Sequence, residues 1–298
     1  MIKENFAEII AKCQAENQRL ASFFLERELG LGDLDEAGIL ERMEANLQVM
    51  EQGVREGLKG VKSHSGLSGG DARRLHDYLA GGPALGGSVY LEAAMNAVAV
   101  NEVNASMGII CATPTAGSSG IVPGVLLACR GRLNLSRRAQ LDFLITCGGC
   151  GLLIGNQASL SGAAGGCQAE VGSASAMAAA ALVEAAGGGP AQSGHALAIA
   201  LKSMLGLTCD PVASLVEVPC IKRNAAGAVN ALVAAEMALA GVESRIPVDQ
   251  VIEAMGSIGR MMPVALRETA LGGLAQTPAA RKISQQLQEL GQVELDRL

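Results

Sequence analysis

The sequence predicts a mainly α-helical protein whose helices are rich in small residues, buried, and joined by glycine-rich loops. Three observations carry this. Apolar residues recur at helical spacing along much of the 298-residue chain, and no run of useful length alternates apolar with polar positions as a strand would. The hydrophobic half of the composition is also unusual in kind, with 38 Gly set against no Trp, two Tyr and four Phe. Small side chains let backbones approach closely, so the expected core is closely packed helix rather than large interlocking side chains. No repeat and no linker divides the chain. The expectation is one domain over 1–298, with an N-terminal helical hairpin over 1–58 and the core over 59–298.

The elements follow in order. Phe6, Ile9, Ile10, Cys13 and Leu20 mark a first amphipathic helix, which Gly30-Leu31-Gly32 breaks. Asp33 or Asp35 can cap a second, running through Ile39, Leu40, Met43, Leu47 and Met50. From Gly60 the character changes, and Lys62-Ser63-His64-Ser65-Gly66-Leu67-Ser68-Gly69-Gly70-Asp71 reads as a loop with special backbone angles. Residues 90–107 read as a buried helix whose Glu92, Asn96, Asn101, Glu102 and Asn104 need partners. A second small-residue loop, 113–120, leads into a helix over 121–129 with Pro123 in its first turn. Residues 137–158 form an apolar helix weakened by Gly148, Gly149 and Gly151, and 162–166 a loop. Helices are expected over 170–186, from a Ser193 cap through His195 to Leu205, and over 224–240 and 248–261, with a solvent-facing one over 279–290.

Composition excludes several classes. The net charge is −6, there is no Lys/Arg run, and aromatics are too scarce for base stacking, so nucleic-acid binding is not expected. The N-terminus is charged early, unlike a secretory signal. Two stretches, 103–129 and 143–169, carry no charge, but Gly, Pro, Ser, Thr, Asn or Gln interrupt both, which favours buried segments over membrane spans. Eight cysteines without an export signal point to a reducing cytoplasm. The default for each is a small buried hydrophobe.

Three cysteines depart from that default. Cys167, Cys209 and Cys220 each lie at a break between helices, beside Gly or Pro, where a thiolate can leave the packing and reach a metal. Thiolates are the usual ligands of iron–sulfur clusters, and three ligands on a four-iron cluster leave one iron open for Lewis-acid chemistry. Cys147 and Cys150 form a C-x-x-C, a rival zinc or redox pair, but it sits inside an apolar helical run with no second pair. Cys13, Cys111 and Cys129 read as core.

The segments Ser65-Gly66-Leu67-Ser68-Gly69-Gly70-Asp71, Ala112-Thr113-Pro114-Thr115-Ala116-Gly117-Ser118, Gly162-Ala163-Ala164-Gly165-Gly166-Cys167-Gln168-Ala169-Glu170, Cys209-Asp210-Pro211-Val212 and Val216-Glu217-Val218-Pro219-Cys220-Ile221 resemble, in this order, the α chain of the iron–sulfur-dependent L-serine dehydratases. The resemblance implies a 4Fe-4S cluster on Cys167, Cys209 and Cys220, separated by forty-one and ten residues, and elimination of water from L-serine to give pyruvate and ammonia. It implies no pyridoxal chemistry. Single-chain members of this family begin with a β domain carrying a Ser-Ser-Ser-His-Thr-type motif, which this chain lacks. The expectation is therefore an α chain that needs a β chain, in a higher oligomer. Some members end in a cysteine that reaches the site, whereas this sequence ends Glu294-Leu295-Asp296-Arg297-Leu298.

The remaining site candidates follow from the loops. His64, in a Gly/Ser loop beside Lys62, is a candidate base, with a base from the β chain as the alternative. His195 reads as structural, in the first turn of its helix, and His76 as a surface residue. Thr113, Thr115, Ser118 and Ser119, with the loop N–H groups, form a candidate cradle for the substrate carboxylate, and Ser65 and Ser68 are candidates for similar work; a tight structural turn is the competing reading. Lys62, Lys222 and Arg223 are either counter-charges or solvated surface. A cluster-dependent L-cysteine desulfidase, a threonine-directed eliminase and a non-catalytic iron–sulfur or zinc protein share these features.

Overall fold

The structure, a computed structural model, describes residues 4–295, with side chains described as far as Leu290. Residues 1–3 and 296–298, on which the readings of the two termini partly rest, lie outside it. The described residues form α-helices and short helical turns, with no strand beyond two isolated bridges. The mainly α expectation holds.

The N-terminal segment is three helices, α1 (Phe6–Ala15), α2 (Leu20–Leu29) and α3 (Glu36–Gly57), where spacing predicts two. The additional break falls at Asn17, whose φ of 50° is left-handed and ends α1. Of the two expected caps it is Asp35 that serves α3, its side chain accepting from the Gly38 N–H at 2.9 Å.

The body of the fold is built on two buried helices, α5 (Ser88–Ala105) and α9 (Ser173–Ala185). Every residue of α9 from Ser173 to Glu184 is buried. Its alanines let α6 (Ile121–Cys129), α7 (Arg137–Gln157), α10 (Pro190–Lys202) and α11 (Cys220–Leu239) all pack on it. α5 is flanked by α3, α4 (Asp71–Ala80), α6 and α11. The α5–α6 contact is close enough that a Cβ at Gly120 would sit 2.1 Å from the Ala97 carbonyl oxygen. α8 (Gly162–Gly165) is one turn where a loop is expected, and α12 (Val248–Met261) and α13 (Pro278–Leu295) complete the chain.

Carboxylates from distant helices satisfy helix N-termini. Glu184 accepts from the Leu20 and Ala21 N–H groups at 2.8 and 3.1 Å, Asp249 from Phe6 and Ala7 at 2.8 and 3.0 Å, and Glu102 from Asp71 and Ala72 at 2.7 and 3.3 Å. Glu102 thus has its partners, whereas neither end of the Asn101 amide has one among the described residues.

One helix start differs from the expected one. α10 begins at Pro190 with Gly189 as its cap, and Ser193 lies buried inside the helix. Proline at the first helical position has no N–H to satisfy and fixes φ for the turn, so it outranks the serine. His195 consequently falls in the second turn, where its Nδ1 accepts from the Ser244 N–H at 3.3 Å. Among the described residues no helix is long and apolar enough to cross a membrane.

Candidate active site

Three chain segments bring Cys167, Cys209 and Cys220 together. Gly166 has a φ of 77°, and a Cβ there would meet Met262 Sδ at 2.7 Å and the Leu207 carbonyl at 2.8 Å, so the turn that aims Cys167 requires glycine. Cys167 then opens the π-turn Gln168–Gly172 that runs into α9. Cys209 is held by its backbone, its N–H donating to the Leu266 carbonyl at 2.9 Å and its carbonyl accepting from Glu268 at 2.7 Å. Ala213 and Ser214, both left-handed at φ 55° and 58°, turn the chain back towards Cys220, the first residue of α11. Thiolates at helix N-termini are favoured by the helix dipole.

Cys167 Sγ, Cys209 Sγ and a Glu170 carboxylate oxygen lie within 4.8 Å of one another, all buried, a set able to hold a metal ion. Cys209, Glu170 and Cys220 line one cavity of about 310 Å³ with Thr115, Gly117 and Glu268. The neighbouring Cys209 thiol, with help from Arg223, holds Cys167 below its usual range, and Cys167 in turn pushes Cys209 up. Burial, reinforced by the charges of Cys167 and Glu170, raises Cys220 to about 12. Burial also raises Glu170, the nearby Glu268 charge adding to it and a hydrogen bond from Thr115 opposing it. The cavity therefore gathers acidic groups whose charged forms disfavour one another and that a metal group would offset.

The 113–119 loop forms the facing wall. Thr115 Oγ1 donates to Glu170 at 2.7 Å. Ser118 Oγ donates to the Thr113 carbonyl at 3.2 Å, and Thr113 Oγ1 to the Ser119 carbonyl at 3.3 Å. Asn224 pins the loop from behind, donating to the Gly117 carbonyl at 2.7 Å and accepting from the Gly120 N–H at 3.1 Å. The N–H groups of Ala116 and Gly117, at the start of the short 3₁₀ turn, have no partner among the described residues.

The family described as "Serine dehydratase alpha chain" matches residues 4–275. This chain belongs to that family. It is similar to the "Probable L-serine dehydratase, alpha chain" of Bacillus subtilis (strain 168), 54% identical over 283 residues, covering 95% of this chain and 94% of that one. It is similar to the "L-serine dehydratase, alpha chain" of Peptoniphilus asaccharolyticus, 43% identical over 277 residues, 93% of this chain and 95% of that one. With the "L-serine dehydratase" of Streptomyces coelicolor (strain ATCC BAA-471 / A3(2) / M145) it shares 40% identity over 265 residues, 86% of this chain but 57% of that longer protein.

In this serine dehydratase α chain the other expected site residues divide. Thr115 faces the cavity, whereas Thr113, Ser118 and Ser119 lie behind it and brace the loop, Ser118 and Ser119 fully buried. Ser65 and Ser68 do not line the cavity; their hydroxyls donate to Glu217 at 2.6 and 2.5 Å. His64 and Lys62 are exposed on the same loop, the His64 N–H donating to the Ala105 carbonyl at 3.1 Å, and neither lines the cavity. His76 is exposed on α4, and Lys222 pairs with Asp71. Cys147 and Cys150 are packed inside α7, burial raising both thiols, with Cys147 Sγ against the Met177 carbonyl at 3.5 Å. Cys13 and Cys129 are core, and Cys111 packs half-buried at its edge.

Glu170, Glu217, Glu268 and Asn224 have no assigned role in the sequence reading. The first two lie in the quoted motifs, three residues from a cysteine, and a carboxylate at that spacing is the signal that finds them.

Proposed function

We propose that this chain eliminates water from L-serine to give pyruvate and ammonia, as the α subunit of a two-chain enzyme in a reducing cytoplasm. The observation that carries the reading is that Cys209, grouped with Cys167 and Glu170, also shares with Cys220 the wall of one carboxylate-lined cavity, in a chain of this family. The donor set suits an iron–sulfur group: three buried sulfurs and a neighbouring guanidinium, that of Arg223. A 4Fe-4S cluster on these cysteines would supply, at an iron without a fourth protein ligand, a Lewis acid for the departing 3-hydroxyl.

The chain's own residues do the rest. The free N–H groups of Ala116 and Gly117 receive the substrate carboxylate, and Thr115 borders it. Glu170 and Glu268 give the cavity the negative wall that an α-ammonium group requires. The Cα proton passes to a base of the β chain or, although it stands outside the cavity of this chain alone, to His64, on the loop that Ser65 and Ser68 anchor through Glu217. Loss of that proton and of the hydroxyl leaves aminoacrylate, which tautomerises to the imine and hydrolyses to pyruvate and ammonia.

The test is anaerobic co-expression with the β chain, followed by iron and sulfide analysis and a pyruvate assay on L-serine. Cys167→Ser, Cys209→Ser and Cys220→Ser are expected to lose both iron and pyruvate formation, while Cys111→Ser keeps both. Sulfide from L-cysteine with no pyruvate from serine would move the reading to a desulfidase. A fully loaded protein inert towards serine, threonine and cysteine would leave a non-catalytic iron–sulfur protein.

A further inference from the structure

Arg223 lies one turn beyond Cys220 on α11, and its guanidinium is held on several sides. Nη1 donates to the Thr208 carbonyl at 2.7 Å and to Cys167 Sγ at 3.4 Å, and Nη2 donates to Asp210 Oδ1 at 2.9 Å. Asp210, 4% exposed, is fixed in turn, since its Oδ2 accepts from the Leu274 N–H at 2.7 Å. The turn that makes this bond depends on Gly273, which has a φ of 58°, and a Cβ there would lie 2.4 Å from Asp210 Oδ2. The relay therefore runs from the 273–276 turn through a buried carboxylate to the Arg223 fork, and ends on a sulfur. The neighbouring Lys222 faces away, to Asp71 on α4.

We propose that Arg223 is a positioning residue for the group held by the cysteines. Its guanidinium clamps the Cys167 sulfur and offsets the negative charge gathered in the cavity, and Asp210 with the Gly273–Leu274 turn sets the direction of the fork. A guanidinium suits this task where an ammonium does not. Its rigid planar donors reach a sulfur, a carbonyl and a carboxylate at once, whereas a lysine offers one compact charge on a flexible stem. Outer partners of this kind tune both the retention of a metal group and its potential.

The proposal rests on the iron–sulfur reading, and its test separates the two. The complete α chain, loaded anaerobically with its β chain, would be compared in four variants: Arg223→Met, Arg223→Lys, Gly273→Ala and, as control, Lys222→Met. Iron release to a chelator and the midpoint potential would be read beside thermal unfolding. Arg223→Met is expected to release iron about tenfold faster and to move the potential negative, because removing a positive charge disfavours the reduced form. Arg223→Lys should keep most of the potential while still releasing iron faster. Gly273→Ala should speed release with Arg223 intact, and Lys222→Met should match the parent. Parent-like release and potential in folded Arg223→Met, or in Arg223→Lys and Gly273→Ala if the methionine variant fails to fold, would overturn the proposal. A parent protein that carries no iron would remove the iron–sulfur reading itself.

Discussion

Glu170 is constrained from three sides. Thr115 donates to one oxygen, the Cys209 sulfur lies 4.0 Å from the other, and a Cβ at Gly162 would come within 2.6 Å of the second and 3.2 Å of that sulfur. Gly162→Ala is therefore expected to abolish serine turnover while leaving the unfolding midpoint little changed, since the clash can be relieved by moving a side chain. Asn224 is fully buried and makes three bonds that tie the 113–120 loop to the start of α11, including one to the Cys220 carbonyl at 2.9 Å. Asn224→Ala leaves buried backbone groups unpaired and should cost about 2–3 kcal/mol in denaturant unfolding, with turnover falling as well. The hydroxyls of Ser65 and Ser68 read equally well from sequence as substrate ligands. Their engagement by Glu217 could not be foreseen, because the partner lies about 150 positions away.

Among the helices, carboxylates of the core cap α1 and α2 and add to the apolar packing that joins the N-terminal segment to the core. Arg19 gives α2 no side-chain cap bond, and Glu184 of α9 provides the acceptor instead. Glu184→Ala should destabilise the protein by about 2–4 kcal/mol, two buried N–H groups losing their acceptor. Amide exchange should then quicken first in α2, which would show that the loss is local. α3 and α7 are joined differently, through Glu44 and Glu51 on Arg137. The Arg137 hydrogen bond, aided by Gln48, lowers Glu44 from 4.5 to about 2. A carboxylate with a depressed folded pKa adds stability above its unfolded pKa and loses it as pH falls through the folded one. The parent should therefore lose stability between about 4.5 and about 2, and Glu44→Gln should lose less over that window in denaturant midpoints. The pair is partly solvated, so the difference should be modest.

Over the molecule, the small residues work as the composition suggests. The alanines of α9 admit four neighbouring helices, and the α5–α6 crossing allows no Cβ at Gly120. Gly120→Ala must push α6 off a backbone carbonyl rather than off a flexible side chain, and should cost about 1–3 kcal/mol. The movement would carry the 113–119 loop with it, so turnover and stability should fall together, in contrast to Gly162→Ala. Much of this architecture could be read from the chain before any coordinates. Helical spacing located the long helices, Asp35 marked a true cap, and Cys167, Cys209 and Cys220 stood out at breaks beside Gly or Pro. These are local signals, fixed by side-chain periodicity and backbone preference within a few residues. The break at Asn17 and the Pro190 start of α10 show where even local signals compete. The convergence of the cysteines on Glu170, the engagement of Ser65 and Ser68 by Glu217, and the direction of the Arg223 fork were decided by tertiary packing. Each depends on which helix faces which across tens to hundreds of positions, and that is set by how small-residue surfaces fit together rather than by any residue's neighbours in sequence.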